Sequence, residues 1–462
     1  MGSIWTVARH TISESIRNKV ALSFIFMLGV LLVGLPFASK GDNTVSGAVQ
    51  AFLSYSVTAV SALLSLLSIF LAKSISDDLS GKQILTLMTK PIARWKYVVG
   101  RWFGIVCIDT ALLSVAGLMI YGFTMYLASR PAQDEIDAER LKGQILCARH
   151  ASNFKIPDFA AEAEAKYQEN VELGKYSGLA EHDEEKAKNE IQAQMIGRWR
   201  AVWPRESRLF EFEDVRCDRS PESMIHLRYV HHVAGFPPDE IVKYTWIFGD
   251  PEKGTALYPA PRRDYIDRIH TVSVPADCVA PDNTLQVVFE NLNPYVQFGE
   301  VQYDNTVVFQ KDDAVQVYFQ VGTFGGNLTR TLSLVLCKLA FLAAIGVAFA
   351  TVFSFPVACL GAFSVLLLAT TKEFLLDSVS WIPEKGSLGL AQFLLNNIVR
   401  GIYFIIPNFD KFNSLDLLVD GRNVTLMWVL LTIGSLVLIK TTILLIAGCL
   451  MFMRREVDEV SL

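Results

Sequence analysis

The sequence predicts a polytopic α-helical membrane protein, with six transmembrane helices and an α+β domain inserted between the third and the fourth. Three observations predict it. Six apolar stretches approach or exceed the roughly 20 residues that a helix needs to cross a bilayer. Residues 131–320 carry 33 Asp and Glu against 21 Lys and Arg, whereas the rest of the chain carries 14 against 21. Within that acidic segment the hydrophobic period changes from helical to alternating. The averages over 462 residues (51% hydrophobic, mean hydropathy +0.32, net charge −5) conceal this division.

Residues 1–19 read as an amphipathic helix on the inner membrane surface. Ile4, Trp5, Ala8, Ile12 and Ile16 recur at helical spacing and leave Arg9, Ser13 and Arg17 on another face. Its length and pattern favour an uncleaved lead into the first span over a signal peptide. The first three spans, within 20–130, are Val20 to Phe37, Ala48 to Ala72 and Trp102 to Leu127. The last three, within 326–462, are Leu332 to Phe353, Val357 to Thr370 and Val424 to Met453. Ser354-Phe355-Pro356 separates the fourth from the fifth as a tight hairpin. The polar-apolar mixture of 379–420, with Trp381, Asn396, Asn397, Arg400 and Tyr403, suggests an outer re-entrant or interfacial segment.

Short-loop charge sets the expected orientation. Arg9, Arg17 and Lys19 precede the first span, Arg454 and Arg455 follow the last, and six Lys or Arg lie between the second and third. The connection between the first and second spans has only Lys40. Both termini and the 74–101 connection are therefore expected in the cytoplasm of a plasma (inner) membrane protein, with 131–320 outside.

The insert divides in two. Residues 131–205 have a helical pattern rich in Ala, Glu and Lys, interrupted near Ile156-Pro157 and Gly174 to Gly178. Across 206–325 short runs alternate, as in Ile225, Leu227 and Tyr229, and in Leu285, Val287 and Phe289, separated by Pro/Gly/Asp turns. A helical stalk bearing an antiparallel β-sandwich is the expected form. His226, His231 and His232 fall in one expected strand, with no carboxylate or cysteine spaced to complete a metal site. Tyr244, Trp246 and Phe248 share a face and read first as core. Cys217 and Cys278 would pair only if this part faces an oxidising compartment and their geometry allows it. No basic run with interleaved aromatics points to nucleic acid. No metalloprotease, nucleophile-elbow or kinase signature points to catalysis in this chain.

The connection Ser74 to Gly100, SISDDLSGKQILTLMTKPIARWKYVVG, carries the most specific pattern. Lys90-Pro91 predicts a break between two short helices. Ile84, Leu87 and Met88 form an apolar face on the first, and Arg94, Lys96 and Arg101 are basic on the second. Alone, this is either an amphipathic connection at the membrane surface or a helix pressed into a partner's groove.

The stretch resembles the second-to-third loop of type-2 ABC transporter permeases. The carrying residues are Asp77 or Asp78, Gly81, Leu85 and Leu87, Lys90-Pro91, Arg94-Trp95 and Gly100, with Lys82 a departure where the family more often has Thr. Ser354 to Ala358, and Ile406-Pro407-Asn408-Phe409-Asp410-Lys411-Phe412 with Leu415, Leu417 and Gly421, resemble later family segments. The resemblance is nearest to the subgroup that includes the nitrous-oxide-reductase maturation exporter permease. It covers about 1–128 and 325–462 and leaves 131–320 unexplained.

That resemblance implies the membrane subunit of an ATP-driven exporter, not itself an enzyme. It implies pairing with a second permease copy, identical or not, and docking of a cytoplasmic ABC ATPase on Asp77, Asp78, Gly81, Leu85, Leu87, Met88, Pro91, Arg94 and Trp95. The chain has no G-x-x-x-x-G-K-[ST] phosphate loop, so ATP and Mg would sit in the partner and no cofactor in this chain. Membrane lipid is its solvent. A rival reading is an anchored receptor or assembly factor whose outer domain binds a partner. Asp109, Lys338 and Lys440 are charges inside expected spans. Asp109 and Lys338 are expected near span ends, and Lys440 mid-span with a structural partner or a substrate contact.

Overall fold

The computed structural model describes residues 2–17, 19–39, 41–80, 93–174, 181–220, 223–235, 240–293, 296–298, 301–303, 305–372 and 406–454. The chain divides into two compact units, Met1–Ala148 with Gly322–Leu462, and Arg149–Val321. Among the described residues, the first holds five helices long and apolar enough to cross a membrane. The protein is a polytopic helical membrane protein with an additional sheet-rich domain.

The first unit opens with α1 (Gly2–Arg17) and α2 (Lys19–Ala38), then α3 (Val45–Leu71), α4 (Lys73–Ser80) and α5 (Arg94–Ala128). The start of α3 is doubly satisfied. Thr44 Oγ1 accepts from Gly47 N, and the Asp137 carboxylate accepts from Val45 N and Ser46 N, both at 3.0 Å. Asp137 belongs to α6 (Glu135–Arg140). Desolvation would raise its pKa, but the Ser46, Val45 and Gln133 hydrogen bonds outweigh that and hold it at about 2.

The face that α1 buries against the protein is not the one marked by Ile4, Trp5, Ile12 and Ile16. Val7, Ala8, Thr11 and Ser15 are buried, whereas Trp5 and Ile16 are 56% and 60% exposed. The physical reason lies on α5. A Cβ at Gly100 would stand 2.7 Å from Val7 Cβ, and one at Gly104 2.7 Å from Thr11 Cβ. Two glycines four residues apart let α1 approach closely through its small side chains.

In the second unit, β1 (Cys147–Asn153) leads to helices α7 (Ala160–Glu172) and α8 (Glu181–Arg200), which pack through Ala163, Tyr167, Ala187 and Ile191. Twelve short strands follow among the described residues, including β3 (Ser207–Phe212), β4 (Met224–Val230), β6 (Ile241–Phe248), β7 (Tyr258–Tyr265), β8 (Ile269–Pro275), β9 (Leu285–Asn291) and β13 (Val315–Thr323). They build two four-stranded sheets, ordered β1-β13-β4-β8 and β3-β9-β6-β7. Register is set by alternation: Leu227 faces Val317 across β4 and β13, and Trp246 faces Phe289 across β6 and β9. One core joins the inner faces, with Phe210, Tyr244, Trp246, Phe248 and Phe289 each fully buried.

Two expectations for this unit are corrected, and an open pairing is answered. Cys147–Asn153 is a strand inside the helical stretch 131–205, because β13 offers it a pairing edge that CARHASN does not advertise. The three histidines do not share a strand: β4 ends at Val230, His231 lies between strands, and His232 begins β5 (His232–Val233). Cys217 and Cys278 are both free, and the Cys278 thiol bonds to Pro275 O at 3.1 Å.

The first unit resumes with α9 (Phe324–Ala350) and α10 (Phe355–Thr370), whose Pro356 stands in the first turn. At 16 residues, α10 spans only about 24 Å, short of the roughly 30 Å hydrocarbon core. Residues 379–405 of the expected re-entrant segment lie outside the described residues. Beyond them come α11 (Leu415–Val419) and α12 (Leu426–Thr432), then a π-helical stretch Ile433–Thr441 and α13 (Thr442–Arg454). Gly421, at φ +62°, closes the turn before α12 where a Cβ would meet Gln144 O at 2.0 Å. Asn327 clamps the same turn, accepting from Val424 N and donating to Arg422 O, each at 2.8 Å.

Candidate functional site

The 74–101 connection is rooted in α4 and in the start of α5, and both roots converge on Arg101. Arg101 is 1% exposed. Its Nη2 donates to the Asp78 carboxylate, and its Nη1 donates to Glu14 Oε2 at 2.6 Å and to Ser74 Oγ at 3.2 Å. Tyr97 Oη accepts from Arg101 Nε at 3.2 Å and donates to Asp78 Oδ2 at 2.5 Å. The guanidinium fork thereby ties α1, α4 and α5 at one buried point.

A second contact joins the last helix. Arg94 Nη1 donates to Met453 O at 3.0 Å and to Phe452 O at 3.4 Å, satisfying carbonyls at the end of α13. Tyr97 stacks on Phe452 with ring centroids 6.0 Å apart. Four helices therefore meet where the 81–92 segment leaves and returns.

This geometry redistributes the residues expected to dock a partner. Asp77 is exposed and lies 4.0 Å from Lys73 Nζ, and Trp95 is 46% exposed beside the Lys96 ammonium. Asp78 is corrected from a surface role to a buried one, because Arg101 needs a counter-charge within the helices. Arg94, partly exposed, bonds through its guanidinium to α13 carbonyls of the same chain. Gly81, Leu85, Leu87, Met88 and Pro91 lie outside the described residues.

Glu14 and Arg101 were not among the expected site residues. Arg101 counted only as loop charge, although it directly follows the glycine that α1 packs against. Glu14 is the one acid in the N-terminal helix, and that lone carboxylate was the available signal.

The helices that carry the charges inside the spans are longer than the apolar stretches. α5 begins eight residues before its apolar stretch, and α9 eight before Leu332, so Asp109 and Lys338 fall near the middle of their helices while lying about two turns inside the apolar stretches. Asp109 is fully buried, and Ser68 Oγ donates to its Oδ2 at 2.7 Å. Lys338 Nζ donates to Ser61 Oγ at 3.4 Å and lies 5.2 Å from the Phe409 ring centroid. Lys440, on the π-helical stretch, has no hydrogen bond or ion pair among the described residues, so the structural partner expected for it is not found there.

No family model matches the chain. Among curated proteins it is 25% identical over 146 residues to the probable ABC transporter permease protein NosY of Pseudomonas aeruginosa. It is 24% identical over 125 residues to the protein of the same name from Stutzerimonas stutzeri. These stretches are 31% and 26% of this chain. They cover 51% and 44% of the relatives, so the chain spans about half the length of the curated relatives it matches. With five helices of spanning length beside those matches, the chain is a multi-pass membrane protein similar to ABC transporter permeases.

Proposed function

We propose that this chain is the membrane-spanning permease subunit of an ATP-driven ABC exporter, moved by a separate ATPase that docks on the 81–92 segment. The Arg101 junction carries the proposal. A chain without a phosphate loop responds to nucleotide only through a mechanical contact, and a push at 81–92 would reach α1, α4, α5 and α13 together. ATP and Mg would be held by the ATPase, and a second permease copy would complete the pathway. Both termini and the 74–101 connection would face the cytoplasm, six helices would cross the membrane, and Arg149–Val321 would lie outside. The short-loop charge asymmetry supports that orientation.

The test is co-purification. Leu87→Asp would put a charge into the proposed apolar contact, which costs several kcal/mol unless paired. The expected outcome is a chain that inserts and folds but no longer retains its ATPase. Normal retention with full ATPase stimulation removes the docking assignment. The separate core of Arg149–Val321 also suits an anchored receptor or assembly factor, and a partner captured by that unit with no ATPase on the chain would favour it.

A further inference from the structure

We propose that the cavity around Lys338 is a binding site for a singly charged oxyanion, either the phosphodiester of an anionic lipid or a small free carboxylate. The cavity lies between α3, α9 and the 409–415 segment and has a volume of about 210 Å³. At about 30 Å³ per water, that is room for some seven waters, or for a head group of a few heavy atoms.

Three groups around it are under-used. An ammonium has three donors, and Lys338 makes one long hydrogen bond, 3.4 Å to Ser61 Oγ. Thr331 Oγ1 and Ser414 Oγ line the same cavity, are buried at 1% and 2% exposure, and have no hydrogen-bond partner among the described residues. A cation and two orphaned hydroxyls inside a helix bundle are costly unless something acceptor-rich completes them.

The charge of the ligand is limited by Asp410, which lines the same cavity and attracts the Lys338 ammonium across it, although no ion pair closer than 4.0 Å joins them among the described residues. A dianion would meet its carboxylate as well as the ammonium, whereas a monoanion is matched by Lys338 and held by the hydroxyls. Ordered water alone is the competing occupant.

The experiment uses the full chain in an uncharged maltoside detergent and reads the ligand-dependent rise in Tm. The probes are phosphatidylglycerol against phosphatidylcholine, and sodium acetate against sodium chloride at equal ionic strength. We expect one anionic probe to raise Tm by about 2–4 °C near saturation. A rise with phosphatidylglycerol identifies the lipid source, and one with acetate the free carboxylate. The rise is lost in Lys338→Gln, reduced in Thr331→Val and Ser414→Ala, and kept in Lys338→Arg. Absence of any rise in the wild-type chain, or a rise that survives in Lys338→Gln, overturns the site. If Lys338→Gln does not purify as a folded chain, an undiminished rise in the isosteric Thr331→Val overturns it equally. No ATPase is present in the assay, and Leu87→Asp should keep the full rise, so failure here is distinct from failure of the docking reading.

Discussion

Arg101 illustrates how a single side chain can hold a junction. Its charge is buried against Asp78 and Glu14, and removing one partner of such a group strands the other. Arg101→Ala is expected to cost about 3–5 kcal/mol, read as a lower Tm of the detergent-solubilised chain. The double variant Arg101→Met with Asp78→Leu should recover much of that loss, since the buried carboxylate is removed as well and the Glu14 carboxylate that remains is partly open to solvent. A second residue-scale test concerns His231, which is buried between Tyr229, Tyr244 and His270, with neither ring nitrogen bonded among the described residues. Desolvation first, and the neighbouring His270 next, push its pKa down to about 4 from an ordinary 6.5, with Asp264 opposing. The unfolded chain takes up a proton as pH falls through about 6.5, and the folded one only near 4. Stability from the neutral ring is therefore lost across that window, on the order of 3 kcal/mol in all. Amide protection factors in β6, which correct for the intrinsic slowing of exchange in acid, should fall between pH 6.5 and 4 in the wild type, and much less in His231→Phe.

The helix pair α1 and α5 shows the same dependence on small residues. A Cβ at Gly104 would also stand 3.0 Å from Ala8 O, a backbone atom that cannot rotate away. Gly104→Leu should lift α1 from α5 and loosen Arg101 from Glu14. The measurement is protease sensitivity of the N-terminal helix, with Gly122→Ala as control, since a Cβ there meets nothing within 4 Å. Unchanged protection in Gly104→Leu would show that α1 does not need the close approach. Elements were unevenly legible. The apolar helices follow from residue type alone, because lipid leaves the backbone few alternatives. The strand β1 does not: its seven residues alternate weakly, and pairing with β13, more than 160 positions away, decides it. The ends of α5 and α9 were missed for a related reason. Apolar runs mark the hydrophobic slab, whereas the helices continue through polar turns that protein contacts satisfy.

At the scale of the whole molecule, the two units invite separate tests. Arg149–Val321 has its own core between two sheets, so the fragment is expected to fold alone, with mixed helix and strand dichroism and a cooperative melt. A fragment disordered in dilute buffer would contradict this. Orientation is tested by single cysteines in a background lacking the seven native ones. Glu172→Cys should label from outside intact cells, and Arg9→Cys only after permeabilisation. Labelling at position 9 in intact cells would reverse the proposed topology.

By itself the sequence determined that this is a multi-helix membrane chain with an acidic, sheet-bearing insert, because hydrophobic length and period are local properties. It also displayed Lys90-Pro91 and Arg94-Trp95 in a pattern resembling permease loops. Only the tertiary structure decided that Asp78 and Arg94 serve contacts within the chain, and that Glu14 completes the Arg101 junction. It likewise brought Thr331, Lys338 and Ser414 to one cavity. The reason is that a charge in sequence carries no partner. Which counter-charge, carbonyl or hydroxyl meets it depends on helices brought together from distant parts of the chain.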